Sequence, residues 1–490
     1  MGHRFQVFIR IAFAGALTRY SRAASDGKKD SMKLPKPIVP ILLLAVALAA
    51  IVKPSSLSAE PSLAVPAAQS QAPSASTSST AAPNAAAGET PKRITAYTLP
   101  PDLYQKTKHL ERVRLAFFVL APIYGLLVLW LFLGWKLGPK YRDWAERASS
   151  KLFVQALVFS PLFVLTLDIF DLPVGLFEQW VLRKYGLSVQ GWASWAWDWT
   201  KGEFVNVIIA IIFIWILYAV LRRSPRRWWF YFWLAALPLG VLLVFIQPLV
   251  IDPLFHQFEP LEQKDPALTA ALEQMVQRAG ENIPPERMYW MNASEKVNEL
   301  NAYVTGIGGS KRIVVWDTTI AKMTTPQIVA VAGHEMGHYV LNHIPKGLAI
   351  FAFGSLILFY LGYRSIGWLL RWRGARWGIR TTEDLASLPA LLLLLSVFLL
   401  VLTPITNGIS RYFEHQADQY GLEVTHGLTP DSGQVAAQAL QVLGEVDLDY
   451  PDPSRLEVLL TDDHPATRDR VRFALTYDPW ANGGTGEFVH

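Results

Sequence analysis

The sequence predicts a mainly α-helical, polytopic membrane protein carrying a zincin-like α+β part. Three observations lead there. The 490 residues are 51% hydrophobic and only 17% charged, where a soluble protein carries about 25% charged residues. The deficit is local: six long stretches hold almost no charge, and the rest of the chain is ordinary. One short segment, His334-Glu335-Met336-Gly337-His338, has metal-ligand spacing. The 18 Trp suit interfacial anchoring, since Trp collects at bilayer boundaries. No Cys is present, which excludes disulfide scaffolds, thiol catalysis and Cys-ligated zinc.

Residues 1–31 are weakly basic and only partly apolar, and read as a start artefact or an extra N-terminal tail. From Met32 the chain runs Met-Lys-Leu-Pro-Lys into an apolar run from Ile38 to Val52. That run is short for a span, which needs about 20 residues, but suits a signal-peptide core. Leu57-Ser58-Ala59 offers small residues for cleavage. Residues 32–59 are therefore either a signal peptide or an uncleaved anchor helix. Residues 60–96, rich in Ala, Ser, Thr and Pro, read as a disordered tether.

Apolar stretches near Leu115–Trp135, Leu152–Phe170, Phe204–Leu221, Trp228–Ile251, Gly347–Tyr363 and Leu388–Ile409 are each of spanning length. They divide the chain into an N-terminal membrane domain (97–251), a metal-binding segment (252–346), two further spans (347–409) and a C-terminal segment (410–490). The loops are asymmetric in charge. Lys136, Lys140, Arg142, Arg147 and Lys151 fill the first, Arg222, Arg223, Arg226 and Arg227 the third, and Arg371, Arg373, Arg376 and Arg380 the fifth. Short basic loops stay cytoplasmic. Asp171–Glu203, Asp252–Lys346 and the acidic tail then fall outside the inner membrane of a bacterial cell. The Trp192, Trp195, Trp197 and Trp199 cluster reads as an interfacial anchor. The basic residues track membrane sides, so no nucleic-acid surface is expected. Oligomeric state is silent in the sequence.

Thr325-Pro326 reads as a helix start and Pro345 as a stop, with a helix over Gln327–Val340 between them. On a helix, His334 and His338 share a face and can grip one Zn²⁺ through imidazole nitrogen. Glu335 lies beside them, able to accept a proton from water. A catalytic zinc takes three protein ligands, and the candidates for the third are Glu414, His415, Asp418, His426 and His464. His343 lies five residues after His338, about 140° round the helix, and points toward the helix end. Glu414 and Asp418, four apart, share a helix face. One can ligate while the other orients a ligand His; spacing leaves the choice open.

His334–His338, Glu414-His415-Gln416-Ala417-Asp418 and His464-Pro465 together resemble the signature blocks of membrane zinc endopeptidases of the type 1 CAAX prenyl protease kind, with the heat-shock protease HtpX more distant. Asn301-Ala302-Tyr303-Val304 followed by Arg312-Ile313-Val314-Val315-Trp316-Asp317-Thr318 is similar to the active-site hairpin of that family. Asp252-Pro253-Leu254-Phe255 and Phe258-Glu259-Pro260-Leu261 are similar to its junction after the membrane spans. The resemblance runs from about Tyr97 to Arg472. It implies seven helices around a water-filled chamber and a zinc-dependent endopeptidase acting on membrane-associated or unfolded proteins. It implies Glu414 as third ligand, Asp418 behind a ligand His, and Glu335 as general base. His464 and Arg470 would contact substrate or oxyanion, and Asn301 would lie at the substrate strand. From the residues themselves, Asn301–Thr305 and Arg312–Trp316 read as paired strands around Gly308-Gly309, with an edge at Tyr303 that can accept an extended peptide. The loop charges put the zinc segment outside, whereas eukaryotic members face the cytosol. The competing reading is a catalytically silent zinc-containing scaffold or chambered carrier, which has no use for the base Glu335.

Overall fold

The computed structural model describes residues 93–306, 310–481 and 483–490. The expected tail at 1–31, the signal or anchor segment at 32–59 and the tether up to residue 92 lie outside the described residues. Thr95–His490 belong to one compact unit.

The membrane half opens with α1 (Pro101–Gly134), α2 (Leu137–Ala148), α3 (Leu152–Lys184), α4 (Trp192–Arg223) and α5 (Trp228–Ile246). α5 runs on through a wider turn at Gln247–Ile251 and bends there by 41°. Five helices of the described residues are long and apolar enough to cross a bilayer, six with the bent pair. Each of the six predicted stretches lies within one of them, save Trp135, which caps the end of α1.

The helices outrun their apolar stretches. α3 holds 33 residues, or about 50 Å at 1.5 Å per residue, against a hydrocarbon core of about 30 Å. Two expected loops are therefore largely helical. The first basic loop is the short amphipathic helix α2. Most of Asp171–Glu203 is the end of α3 and the start of α4, joined at residues 185–191. Helical hydrogen bonding continues wherever nothing breaks it, whatever the solvent. The Trp cluster opens α4, with Trp197 63% exposed and the Arg183 guanidinium 5.4 Å over Trp192, as an interfacial anchor requires.

The second half is built on four short strands: β1 (Phe258–Pro260), β2 (Met288–Met291), β3 (Ala302–Thr305) and β4 (Arg312–Trp316). Their spatial order is β1-β2-β4-β3. β2 and β4 run parallel, and the two outer pairs are antiparallel. Alternation sends Ala302, Val304, Ile313 and Val315 to one face, where they join the main core. That core also takes residues of α6 (Pro266–Arg278), lies beside α7 (Asp317–Lys322), and is closed by α8 (Thr325–Val340). The chain then re-enters apolar territory in α9 (His343–Trp377) and α10 (Leu388–Thr425), and ends with α11 (Ser432–Val446), α12 (Arg455–Thr461) and α13 (Thr467–Thr476).

α10 joins the two halves. Glu414 lies about 39 Å along it from Leu388, beyond the thickness of a hydrocarbon core. At the opposite end of the bundle, Arg142 is 6% exposed and bonds Asp384 at 2.6 Å. That residue, counted among the basic loop residues, is a neutralised bundle contact. Lys136, Lys140, Arg147 and Lys151 of the same segment keep the asymmetry.

Candidate metal centre and active site

α8 begins one residue earlier than Thr325 suggests. Thr324 is the cap, in a reciprocal box with Gln327, whose Oε1 accepts from the Thr324 amide at 2.9 Å. Pro345 is not the stop, since it sits in the first turn of α9. The chain turns instead at Asn342, in the left-handed region with φ 59°.

The two site helices meet along a seam of glycines. A Cβ on Gly421 of α10 would come within 2.9 Å of the His334 amide nitrogen. One on Gly337 of α8 would come within 3.1 Å of Ala417. Any larger side chain at these positions drives the helices apart. The close approach sets His334 and His338 opposite Glu414. The Nε2 atoms of the two histidines are 3.2 Å apart. Glu414 Oε2 is 3.2 Å from His334 Nε2, and Oε1 is 3.5 Å from His338 Nε2. A tetrahedral ion with ligand bonds of about 2.0–2.1 Å has ligand–ligand edges of roughly 3.3–3.4 Å, which is this triangle. Glu414 is fully buried, and neither of its carboxylate oxygens meets a donor in hydrogen-bond geometry. The imidazoles of His334, His338 and His464 converge on this buried carboxylate without hydrogen-bond geometry, the donor set of a metal site. The residues fit a metal ion. Among the described residues, this His, His and Glu group is one that can hold it.

Asp418 lies behind the triangle. Its Oδ1 is 2.8 Å from His334 Nδ1, and it accepts a two-pronged bond from Arg470 at 2.9 and 2.7 Å. Arg470 thus acts on the site through Asp418. A buried guanidinium must be matched by a carboxylate, and Asp418 supplies it. His464 places Nε2 3.1 Å from Glu414 Oε2 and Nδ1 2.7 Å from Asp463 Oδ1. Burial opposes its charged form, but Glu414 and Asp463 outweigh burial and push its pKa up to about 10. Of the other ligand candidates, His426 stacks on Trp480 with ring centroids 3.6 Å apart, and His415 packs on Phe473.

Glu335 and His338 border a cavity of about 1420 Å³ that reaches down among the membrane helices. Its walls are mostly apolar, with Glu111, Arg114, Asp171, Glu178, Asp462 and Asp463 among the charged exceptions. Among the described residues, β3 is the outer strand of the sheet beside it. The expected hairpin is there, with its turn residues 307–309 outside the described residues, but two details differ. The Trp316 amide donates to the Asn301 carbonyl at 3.1 Å. By antiparallel alternation, Tyr303 then bonds Val314 across the ladder, and Ala302 with Val304 present their backbone groups to the open edge. The Tyr303 side chain packs on the sheet face away from the main core. Asn301 holds the strand start through backbone bonds to Trp316 and Thr319. Val304, Thr305 and Gly306 border the cavity instead.

Sequence spacing missed His343, which lies against the far side of His338. The turn at Asn342 ends the helical extrapolation that pointed it elsewhere. Asn342 itself was the available signal, since Asn tolerates the left-handed region.

Long apolar helices, a His/His/Glu metal triangle and an adjoining glutamate in a cavity are the features of a membrane-embedded metalloprotease. The family models agree. Residues 262–477 match Peptidase family M48, and residues 83–257 match the CAAX prenyl protease N-terminal region, described as five membrane helices. The chain belongs to Peptidase family M48. It is 35% identical over 379 residues to the uncharacterized metalloprotease YhfN of Bacillus subtilis, covering 77% of this chain and 87% of that protein. It is 26% identical to CAAX prenyl protease 1 of Saccharomyces cerevisiae over 55% of this chain and 63% of the yeast protein. The crystal structure of S. mikatae Ste24p superimposes with a TM-score of 0.67 at 23% identity, covering 77% of this chain and 90% of that one. That likeness shows a shared fold.

Proposed function

We propose that this membrane metalloprotease is a zinc endopeptidase that cuts extended segments of membrane-associated or unfolded proteins. His334, His338 and Glu414 hold the ion. The observation that carries this reading is the ligand triangle, with Glu335 beside it at the mouth of the cavity. A zinc ion held there supplies Lewis acidity toward a peptide carbonyl and toward water. Glu335 accepts the proton that water gives up as it attacks, and returns it to the departing amine. Asp418 fixes the ring of His334, and Arg470 fixes Asp418. His464, whose Nε2 lies 3.1 Å from Glu414 Oε2, is placed to offer an N–H to the oxygen that gains charge. The silent-scaffold reading has no use for Glu335, and metal-dependent cleavage of an unfolded protein separates the two. Chelator should abolish cleavage and zinc should restore it. Cleavage unaffected by chelator would remove the proposal.

The working parts are a membrane domain at 97–251, a zinc segment at 252–346, two spans at 347–409 and a C-terminal segment at 410–490. The two family matches meet between 257 and 262, which supports the first boundary.

Substrate binding follows from the open edge of β3. A peptide laid along it as an added strand gains main-chain bonds with little sequence demand. Val304→Pro removes an outward N–H, whereas the amide of Tyr303 is committed to the ladder. Expected: KM rises several-fold or more in Val304→Pro while the bound metal is kept. Unchanged KM in a folded variant rejects this edge.

The basic loops support a bacterial inner-membrane protein with its zinc segment outside. In the Cys-free chain, single thiols at two exposed or half-exposed positions test this. Cys at Arg455, in the first turn of α12, should react in intact cells with a membrane-impermeant maleimide that passes the outer membrane. Cys at Ser224, between α4 and α5, should react only after the inner membrane is broken. The reverse pattern restores a cytoplasmic protease.

A further inference from the structure

His343 sits at the first position of α9 and is fully buried. Its Nδ1 is 3.1 Å from His338 Nδ1, and its Nε2 is 3.2 Å from Gln416 Oε1. The His343 ring stacks on Phe413 with centroids 4.4 Å apart and planes 10° apart, so its plane is fixed. The contacts form a line from α10 through α9 to the metal-binding face of α8.

We infer that His343 is a positioning residue that fixes the tautomer of His338 through Gln416. The proton bookkeeping runs in one direction. Ligation through His338 Nε2 puts that ring's proton on Nδ1, and Gln416, with Oε1 toward His343 Nε2, presents the amide end that matches it, so His343 carries its hydrogen on Nε2. The neutral ring then has a lone pair on Nδ1, which accepts the Nδ1–H of His338. With its proton on Nδ1, His338 has a lone pair on Nε2, the atom that faces His334 and Glu414. A ligand imidazole held by an acceptor behind it is pre-oriented and more basic. His334 is served by the carboxylate of Asp418, and His338 by a neutral histidine. A neutral acceptor behind one ligand keeps the buried charge around the ion lower than two carboxylates would.

The inference rests on the metal-site reading. Its test is zinc affinity of the full-length detergent-solubilised protein, stripped and titrated against a competing chelator, with thermal unfolding of each metal-free form. His343→Leu removes the acceptor and is expected to weaken zinc binding by roughly 10- to 100-fold. His343→Asn can put an amide oxygen near the place of Nδ1, and is expected to recover most of that loss. Gln416→Lys puts a donor opposite Nε2, pushes the His343 proton to Nδ1 and sets donor against donor. It is expected to bind zinc as weakly as His343→Leu. Wild-type affinity in His343→Leu overturns the inference, as does His343→Asn binding as weakly as His343→Leu. Should His343→Leu fail to fold, Gln416→Lys carries the test, and wild-type affinity there overturns it. A wild-type protein that takes up no zinc would instead remove the metal-site reading itself.

Discussion

Glu335→Gln is expected to keep the fold and the bound metal while peptide cleavage falls by roughly 10²- to 10⁴-fold, about 3 to 5 kcal/mol of barrier. Gln has the shape of Glu and fills the same place on α8, one residue after His334 and open to the cavity. What it loses is the ability to accept a proton at the moment of attack. The three proposed ligand side chains are unchanged, so metal content should match wild type. Single-turnover cleavage of an unfolded protein, beside metal content per chain, measures both quantities in one preparation. Turnover within a few-fold of wild type would remove Glu335 from the chemistry. Loss of the metal together with activity would make it a structural contact rather than a base. The silent-scaffold reading expects no cleavage by either form.

Much of this architecture is legible because its signals are local. Six stretches almost without charge mark the five helices, six with the bent pair, that are long and apolar enough to cross a bilayer, whatever their partners are. His334 and His338 declare themselves by a four-residue spacing that only one helix has to honour. What failed depended on where helices stop. Nothing in the composition of Asp171–Glu203 says that α3 and α4 continue through it, because helical bonding is indifferent to the end of the bilayer. The 140° angle assigned to His343 held only while α8 continued, and the left-handed turn at Asn342 cancelled it. Contacts between distant segments were illegible in the same way. Arg470 lies 52 residues from Asp418, and no spacing rule joins them. The outward groups of β3 depended on which residues of a short ladder are bonded, a parity that the Trp316 to Asn301 backbone bond decides and the alternation of side chains does not. The glycine seam is a middle case. Gly333 and Gly337 of α8 are four apart and mark one close-packed face, but their partner Gly421 comes from a helix two spans later.

Glu414→Gln and Asp418→Asn are expected to separate two carboxylates that sequence spacing leaves equivalent. Both lie on α10, one turn apart, and both face His334. Their surroundings differ. Glu414 faces the Nε2 atoms of both histidines and is fully buried with neither oxygen in hydrogen-bond geometry. Asp418 faces Nδ1 of His334 and is already matched by both prongs of Arg470. Glu414→Gln keeps the shape and removes the charge that answers the ion, so purified protein should lose nearly all of its zinc, and hydrolysis with it. His334→Ala should do the same. Asp418→Asn leaves the triangle intact but weakens the grip on the His334 ring, so zinc should bind roughly 10- to 100-fold more weakly and be restored by excess. Asp418→Asn also leaves Arg470 without its carboxylate, a loss of about 3 to 5 kcal/mol for a buried pair. Compared in their metal-free forms, its thermal unfolding should therefore fall further than that of Glu414→Gln, although its metal loss is smaller. That inverted ranking, greater loss of metal with lesser loss of stability at Glu414, is what a ligand and its supporting neighbour should each produce. Full zinc retention in Glu414→Gln, or irrecoverable loss in Asp418→Asn alone, would exchange the two roles.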